Sequence, residues 1–600
     1  MDVDPQEGNV NLAAAYWSDA TTPRLNFLDI VASNKNPENA SEVVQTIRSE
    51  INAVDKAAAL VKRRLNAVMP VARLHPEILA IILSHNAVDE PHYDLGKIDS
   101  YYHDLRNTLG WIKVSHVSHR WREVALSYPS LWSVVTFTHG FEWAQEFVAR
   151  SKATPILIDL CADPSRVPGP EVVSVIESQL HRIHTLHLCC PTSIISSLKL
   201  CHPAPLLHTF RARSIDLVSN ETPPSPLFAG QTPSLRHLDV EHAEVVNWNE
   251  PIFSGLTTLL LKTDGRLLPS SGSSIHAVLG ALQRMHRLET LVLHIPNIGG
   301  ADTPLPNTSD ANLPCLAYLN VGEMSLQTTA VLLRHIHRPH NTQLSLFCTP
   351  DDDTDASLGL QALAHHLQDI PPMREMQSLH VFTTRHNQNQ VTHGLRVWRE
   401  FDVDPVGEMP LVPVESAAHA FRIDLQFSGE EPGGEPLDAT DLCTMLPFQN
   451  VRALSVDANG MVWDVEAFSN TFRDYPKVEH IHAVVSGTEL LGSLIDAGSH
   501  ADNANRVVPT PSSSDCLFPS LSSMWLEMVD WETETVVDAV GNGRPAKKGL
   551  NNVARERARI GAPLSTVYVE HAWFKMVEVS EPGVRVVGVA KVGEQDEDKE

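Results

Sequence analysis

The chain is 600 residues long, beyond the ~100–200 residues that one compact core usually holds, and its apolar fraction of 42% is ordinary for a folded protein. Its 46 basic against 73 acidic residues leave a formal charge of −27, which excludes a nucleic-acid partner reached through general electrostatics. The opening MDVDPQEGNV is acidic and lacks the apolar stretch of a secretory signal, and no run approaches the ~20 apolar residues of a membrane helix, so no membrane association is expected.

The eight cysteines are scattered, with no CxxC pair and no dense framework. That fits reduced thiols and a cytoplasmic or nuclear protein. Residues 1–38 carry no sustained periodicity and read as a loose arm. From Val44 the pattern changes: Val44, Ile47, Ile51, Val54, Ala58, Val61, Leu65 and Val68 recur at alternating steps of three and four, a heptad seam. Asn39 and Glu42 have the spacing of a capping box, and Pro70 closes the segment. Residues 39–69 are therefore expected as one helix with its seam buried against protein. The occupant is either a second copy of the chain in a coiled coil or the domain that follows.

In RLHPEILAIILSH, Leu74, Ile78, Leu79, Ile82 and Leu83 lie on one helical stripe, with Pro76 placed to start the helix. A polar insert, Asn86 to Thr108, leads to LGWIKVSHVSHRWREVALSYPSLW. There Trp111, Val114, Val117, Trp121 and Val124 recur at three- and four-residue steps, Pro129 ends the helix, and Leu131 and Trp132 supply a bulky plug. Three helices are expected within 73–132.

Beyond Trp132 a motif apolar-x-x-apolar-x-apolar returns repeatedly. It appears as Ile183/Leu186/Leu188, Leu207/Phe210/Ala212, Leu235/Leu238/Val240 and Leu256/Leu259/Leu261. It continues as Leu288/Leu291/Leu293, Leu316/Leu319/Val321, Met376/Leu379/Val381 and Val451/Leu454/Val456. The last members are Val478/Ile481/Ala483, Leu521/Met524/Leu526 and Leu564/Val567/Val569. Well-defined neighbours lie about 21 to 32 residues apart, the period of leucine-rich repeats. Each unit places its last two apolar residues on one face of a short strand, and only stacking on neighbours makes a core. Short parallel strands stacked in chain order are expected across 136–590. The stretches 220–234, 299–310 and 504–515 read as inserted loops. Residues 384–440 match least, although Phe421, Ile423, Leu425 and Phe427 alternate as in a strand. Asn551 to Ile560 reads as a helix stopped by Gly561 and Pro563, and 591–600 as an acidic tail.

The segment 70–135 resembles an F-box, in the divergent form of large fungal families whose members carry leucine-rich repeats. The residues that carry the resemblance are Leu74 with Pro76-Glu77-Ile78-Leu79, the Ile82-Leu83 pair, LGWIKVSHVSHRWREVAL, and Pro129-Ser130-Leu131-Trp132. The resemblance implies a three-helix module that docks on the Skp adaptor of a Skp–cullin–F-box ubiquitin ligase, while the repeats present a protein substrate. Leu74, Pro76, Ile78, Leu79 and Ile82 would lie at or beneath the adaptor surface. Trp111, Val114, Val117 and Trp121 would hold the helices together, and Leu131 and Trp132 would seal the base. No catalytic residue, cofactor or metal is implied. Two departures stand out: His75 where relatives often have Pro, and the long insert 86–108. The asparagine that usually follows each strand is present at Asn459 but replaced by Ala243, Asp264 and Met324.

Other features weigh less. His181, His184 and His187 are spaced as on a metal-binding helix, but Leu186 and Leu188 argue for a strand that splits them; His335, His337 and His340 rate no better. Asp351, Asp353 and Asp355 open like a calcium loop whose sixth position is Ala356 and twelfth Ala362. GNGRPAKKG (541–549) with Arg555, Arg557 and Arg559 makes a basic patch that fits no phosphate loop and reads as a solvated helix face. No GxSxG elbow, HExxH helix or paired-carboxylate motif is present. The fold class is thus α/β: a long heptad helix, a helical F-box module, then an irregular leucine-rich-repeat-like solenoid with parallel strands. The function read from it is non-enzymatic substrate recognition for a ubiquitin ligase. The alternatives are a protein-binding scaffold without a ligase role, or an enzyme with a pocket near 384–440.

Overall fold

The computed structural model describes residues 5–33, 40–92, 109–161, 169–198, 200–214, 226–241, 247–263, 274–296, 298, 310–349, 356–368, 374–387, 390–399, 422–430, 443–457, 465–484, 487–496, 516–537, 543–570 and 572–589. The chain divides into two compact units, Met1–Thr154 and Pro155–Glu600. Among the described residues no helix is long and apolar enough to cross a membrane.

The first unit opens differently from the expected loose arm. Pro5–Ser33 is one long helix, with Pro23 inside it. Periodicity missed it because its large apolar residues form no buried stripe: Leu12, Tyr16, Leu25 and Ile30 are all exposed. Helix Ala40–Val68 follows as expected, and Arg24 reaches Glu50 at 3.1 Å between the two. None of its described residues is buried, and Val44, Ile51, Val54, Val61 and Leu65 remain 47–61% exposed. Packing of the seam on the following domain is therefore overturned. The helix gives way to the 3-10 turn Pro70–Arg73, and the next segment covers its own inner stripe without it.

Helix Pro76–Asp89 begins at the expected proline. The expected second helix is instead a 3-10 segment, Gly110–His116, and α-helix resumes only at His119–Ser127. The cause is Ser118, an extended N-cap whose hydroxyl accepts from the backbone N–H of Trp121 at 3.3 Å. Pro129–Trp132 is a further 3-10 turn. Strand β1 (Val134–Thr136) and helix Phe141–Arg150 complete the unit, carrying it past residue 135.

The second unit is a large, mostly parallel sheet with helices between its strands. Its strands are β2 (Ile156–Cys161), β3 (Ile183–Cys190), β4 (Thr209–Ser214), β5 (His237–Glu241), β6 (Thr258–Lys262), β7 (Thr290–His294), β8 (Ala311–Asn312), β9 (Tyr318–Ser325), β10 (Ile336–His337) and β11 (Gln343–Thr349). They continue with β12 (Ser378–Asn387), β13 (Gln390–Trp398), β14 (Arg422–Glu430), β15 (Ala453–Asp457), β16 (His480–Val484), β17 (Ser523–Glu527), β18 (Thr535–Val537), β19 (Gly543–Pro545), β20 (Thr566–Glu570) and β21 (Arg585–Val589). From β2 to β7, then β9 and β11, each strand pairs in parallel with the next. The run β15, β16, β17, β20, β21 is parallel too. β8 and β10 make a small parallel pair, and β18 and β19 an antiparallel one.

Chain order fails in one place. β11 pairs with β14, β14 and β12 both pair antiparallel with β13, and β12 pairs in parallel with β15. A two-residue link between Asn387 and Gln390 is too short for the crossover of a dozen or more residues that parallel neighbours need, so the chain turns straight back.

Every residue of the eleven expected triplets is buried. The local reason is a repeated pair of backbone devices. The first apolar residue closes a turn on the carbonyl three positions back, as in Leu235 to Thr232 (3.1 Å), Leu288 to Met285 (3.0 Å) and Leu521 to Phe518 (3.0 Å). One residue on, one carbonyl takes two N–H groups from the next unit: Thr257 and Thr258 donate to Arg236, and Glu289 and Thr290 donate to Thr257. Each strand is thereby aimed along its neighbour before it begins, and the two following apolar residues face the helices. Helix Ile275–Leu282 answers them with Ile275, Val278, Leu279 and Leu282, all fully buried. Of the stretch 220–234, residues 226–234 are described, and there Leu227 and Phe228 plug the core from a 3-10 turn instead of forming a surface loop. The other two expected loops lie almost wholly outside the described residues, as do Asn459, Ala243, Asp264 and the 591–600 tail. Helix Ala546–Arg559 starts five residues earlier than expected and stops at Gly561, whose φ is +83°.

Candidate functional site

Helix Pro76–Asp89 is apolar nearly all round, so one side must stay uncovered once the other is packed. Leu79, Ala80 and Leu83 form the inner side, at 0–2% exposure. Ile78, Ile81 and Ile82 face outward at 47, 49 and 42%. Pro76 is exposed and Leu74 half-buried. The Leu74 carbonyl accepts a hydrogen bond from the Arg120 guanidinium, which ties the start of this helix to helix His119–Ser127. Of the residues expected at the docking surface, Ile78 and Ile82 share the open side, and Pro76 is exposed at the start of the helix. Leu79 belongs beneath it, as an anchor.

The module's interior is an aromatic stack. Trp111 and Trp132 meet edge-on with centroids 5.2 Å apart, and Trp132 meets Phe147 at 4.8 Å. Trp132 donates its indole N–H to the Ala125 carbonyl at 2.7 Å. Sequence reasoning missed the residue that organises this stack, His92, which lies in the polar insert and is 4% exposed. Trp111 Nε1 donates to its Nδ1 at 3.0 Å, so the ring proton sits on Nε2 and donates to the Val134 carbonyl at 3.2 Å. Burial lowers the His92 pKa to about 4, so the ring is neutral near pH 7. Gly110 sets this up. Its φ of +48° turns Trp111 inward, and a Cβ there would collide with the Pro91 carbonyl. The remaining insert residues, 93–108, lie outside the described residues.

Three expected core positions need correction. Val117 is 58% exposed, and Val114 and Trp121 are only half-buried. The three- and four-residue steps imply one helical phase from Trp111 to Val124. The 3-10 segment and the break at Ser118 change that phase, so Trp111, Ile112, Val124 and Ala125 are the inner residues. Leu131 and Trp132 seal the base as expected, at 5 and 3%.

On the second unit, the residues between the apolar ones line up in rows across the sheet. Register sets Asp159, His187, Arg211 and Asp239 side by side on β2 to β5. Arg211 meets Asp239 at 2.6 Å, Arg213 meets Glu241 at 3.1 Å, and Lys262 meets Glu241 at 2.8 Å. Burial pushes the Asp159 carboxyl up to about 6, opposed by Arg211. Burial, with the Arg211 charge, brings His187 down to about 4. Farther along, His482 lies flat on Trp525 with centroids 3.9 Å apart, and its Nε2 is 3.0 Å from the Glu527 carboxylate. Its Nδ1 is 3.3 Å from the Ser455 hydroxyl. The chain Ser–His–Glu has the chemistry of an activated nucleophile, but Ser455 is 4% exposed and lies under its neighbours, where a substrate carbonyl has no approach. It acts as a cross-strand brace.

His184 and His187 are not brought together. His184 stacks on His208 at 5.2 Å, whereas His187 sits in the row beside Arg211. His335 and His337 both hold the Asp310 carboxylate, at 2.6 and 3.0 Å. Asp351, Asp353 and Asp355 lie outside the described residues. The basic patch is not wholly solvated: Arg557 is 1% exposed and donates to the carbonyls of Leu517, Phe518 and Leu521 at 3.1, 2.8 and 3.3 Å. No family model matches this chain, and no curated protein matches it.

Proposed function

We propose that this chain is the substrate-recognition subunit of a Skp–cullin–F-box ubiquitin ligase. The module around 70–135 engages the adaptor, and through it a cullin, while an irregular leucine-rich-repeat-like solenoid binds a target protein. The observation that carries the proposal is the outward row Ile78, Ile81 and Ile82, half-exposed on a helix whose other side is anchored by Leu79 and Leu83. Three large aliphatic side chains in one uncovered patch suit a partner. Covering the exposed half of each isoleucine contributes roughly 1–2 kcal/mol, so an Ile78→Ala/Ile82→Ala variant should bind the adaptor tenfold or more weakly, with circular dichroism unchanged. Calorimetry with purified adaptor measures this. Parent-like affinity in the folded double variant defeats the assignment.

The exposed heptad seam favours self-association as part of the same assembly. Exposed among the described residues, the row Val44, Ile51, Val54, Val61 and Leu65 fits a second copy in a coiled coil. Ile51→Asp with Val54→Asp is expected to halve the mass measured by light scattering. A parent that is already monomeric at working concentration removes the homodimer.

A further inference from the structure

We infer that the cavity at the start of strands β12, β15 and β16 binds a phosphomonoester dianion. The site uses none of the residues of the adaptor face and stands or falls separately from it. The cavity holds about 480 Å³ and lies where the antiparallel insertion meets the parallel run, because Arg399 directly follows β13 while Arg374, Arg452 and Lys477 each precede a parallel strand. A volume of that size takes a phosphate together with part of the group that bears it.

The lining is cationic in a chain that is otherwise strongly acidic. Arg452 is gripped by Glu479 through two bonds of 3.0 and 2.7 Å, which fixes its guanidinium plane. Arg399 is held by Glu375 at 3.0 Å. Lys477 spends one of its three donors on the Asn450 side-chain oxygen at 2.5 Å, and the Asn450 amide is oriented in turn by the Arg374 carbonyl. Among the described residues, four cations against two carboxylates leave two positive charges, concentrated on Arg374 and Lys477. That surplus equals the charge of a phosphomonoester near neutral pH, and the fixed guanidinium planes suit its oxygens. A long polyanion is disfavoured by the chain's charge of −27, whereas a single phosphate entering a cationic cavity is not.

The test is calorimetry on the full chain at fixed ionic strength, with three probes. These are inorganic phosphate, a phosphoserine peptide with uncharged flanks, and the same peptide unphosphorylated. Both phosphate probes should bind and the unphosphorylated peptide should not. Arg374→Glu with Lys477→Glu reverses the surplus from two positive to two negative charges and should weaken binding by more than roughly tenfold, while Arg374→Lys with Lys477→Arg retains it. Should the reversed pair fail to fold, Arg374→Ala at its exposed position should still weaken binding severalfold. A phosphopeptide that binds at least tenfold tighter than inorganic phosphate identifies a phosphorylated protein segment as the source. Equal affinities identify a free phosphate or small ester. If neither phosphate probe binds, or if the folded charge variants bind like the parent, the site is refuted.

Discussion

At the scale of single residues, two buried titratable groups act with opposite signs. His92 is neutral in the fold, and its pKa falls from 6.5 to about 4 because burial penalises the imidazolium. Between these values the unfolded chain takes up a proton that the folded module refuses. The stability His92 contributes is therefore complete above pH ~6.5 and is lost as pH falls toward 4, by up to about 3 kcal/mol. Asp159 is the converse: its carboxyl is raised to about 6 by burial, so its contribution favours the fold at low pH and fades as pH rises through that value. Urea unfolding followed by near-ultraviolet dichroism should show the module weakening from pH 7 to pH 4.5. A His92→Gln variant keeps an acceptor for Trp111 and a donor for Val134, so it should show a flatter dependence. An unchanged slope in that variant would mean that other groups govern the acid response.

At the scale of elements, the sequence was readable wherever burial repeats at a constant step. The eleven triplets all became strand approaches because each meets the two-residue alternation of a buried strand, and seven of them also open on the turn that closes three positions back. Strands without the leading apolar residue escaped that pattern. β2 (Ile156, Ile158, Leu160) and β11 (Leu344, Leu346, Cys348) alternate correctly but have no triplet. In the module the failure is one of phase. Val117 fits the heptad count and yet stands 58% exposed, because Ser118 caps a new helix and restarts the turn. The exposed face of Pro76–Asp89 was half legible. The single stripe expected to hold Ile78, Leu79, Ile82 and Leu83 is split, with Ile78 and Ile82 exposed and Leu79 and Leu83 buried, and that separation depends on where Trp111 and Trp132 pack, which is set by long-range contacts through His92. Helix Pro5–Ser33 had no legible signal at all, since it buries no apolar stripe.

At the scale of the whole molecule, the second unit is a run of neighbours with one change of direction. Each strand hydrogen-bonds only to the strands beside it, and the apolar triplets close the core one layer at a time. Such a sheet transmits damage by adjacency. Leu259 on β6 is fully buried, and truncating it to alanine should cost about 2–5 kcal/mol through lost burial and the cavity left behind. In a single cooperative core that loss would lower protection everywhere in the unit. Here it should appear first in the amides of β5, β6 and β7. The strands β15 to β17 lie beyond the antiparallel insertion β12 to β14 and make no pairing with β6, so they should keep parent-like protection. Hydrogen exchange read by mass spectrometry on Leu259→Ala resolves the two cases peptide by peptide. Equal loss of protection in β6 and β16 would show that the unit opens as one body, and layer-by-layer stacking would then be the wrong account of its stability.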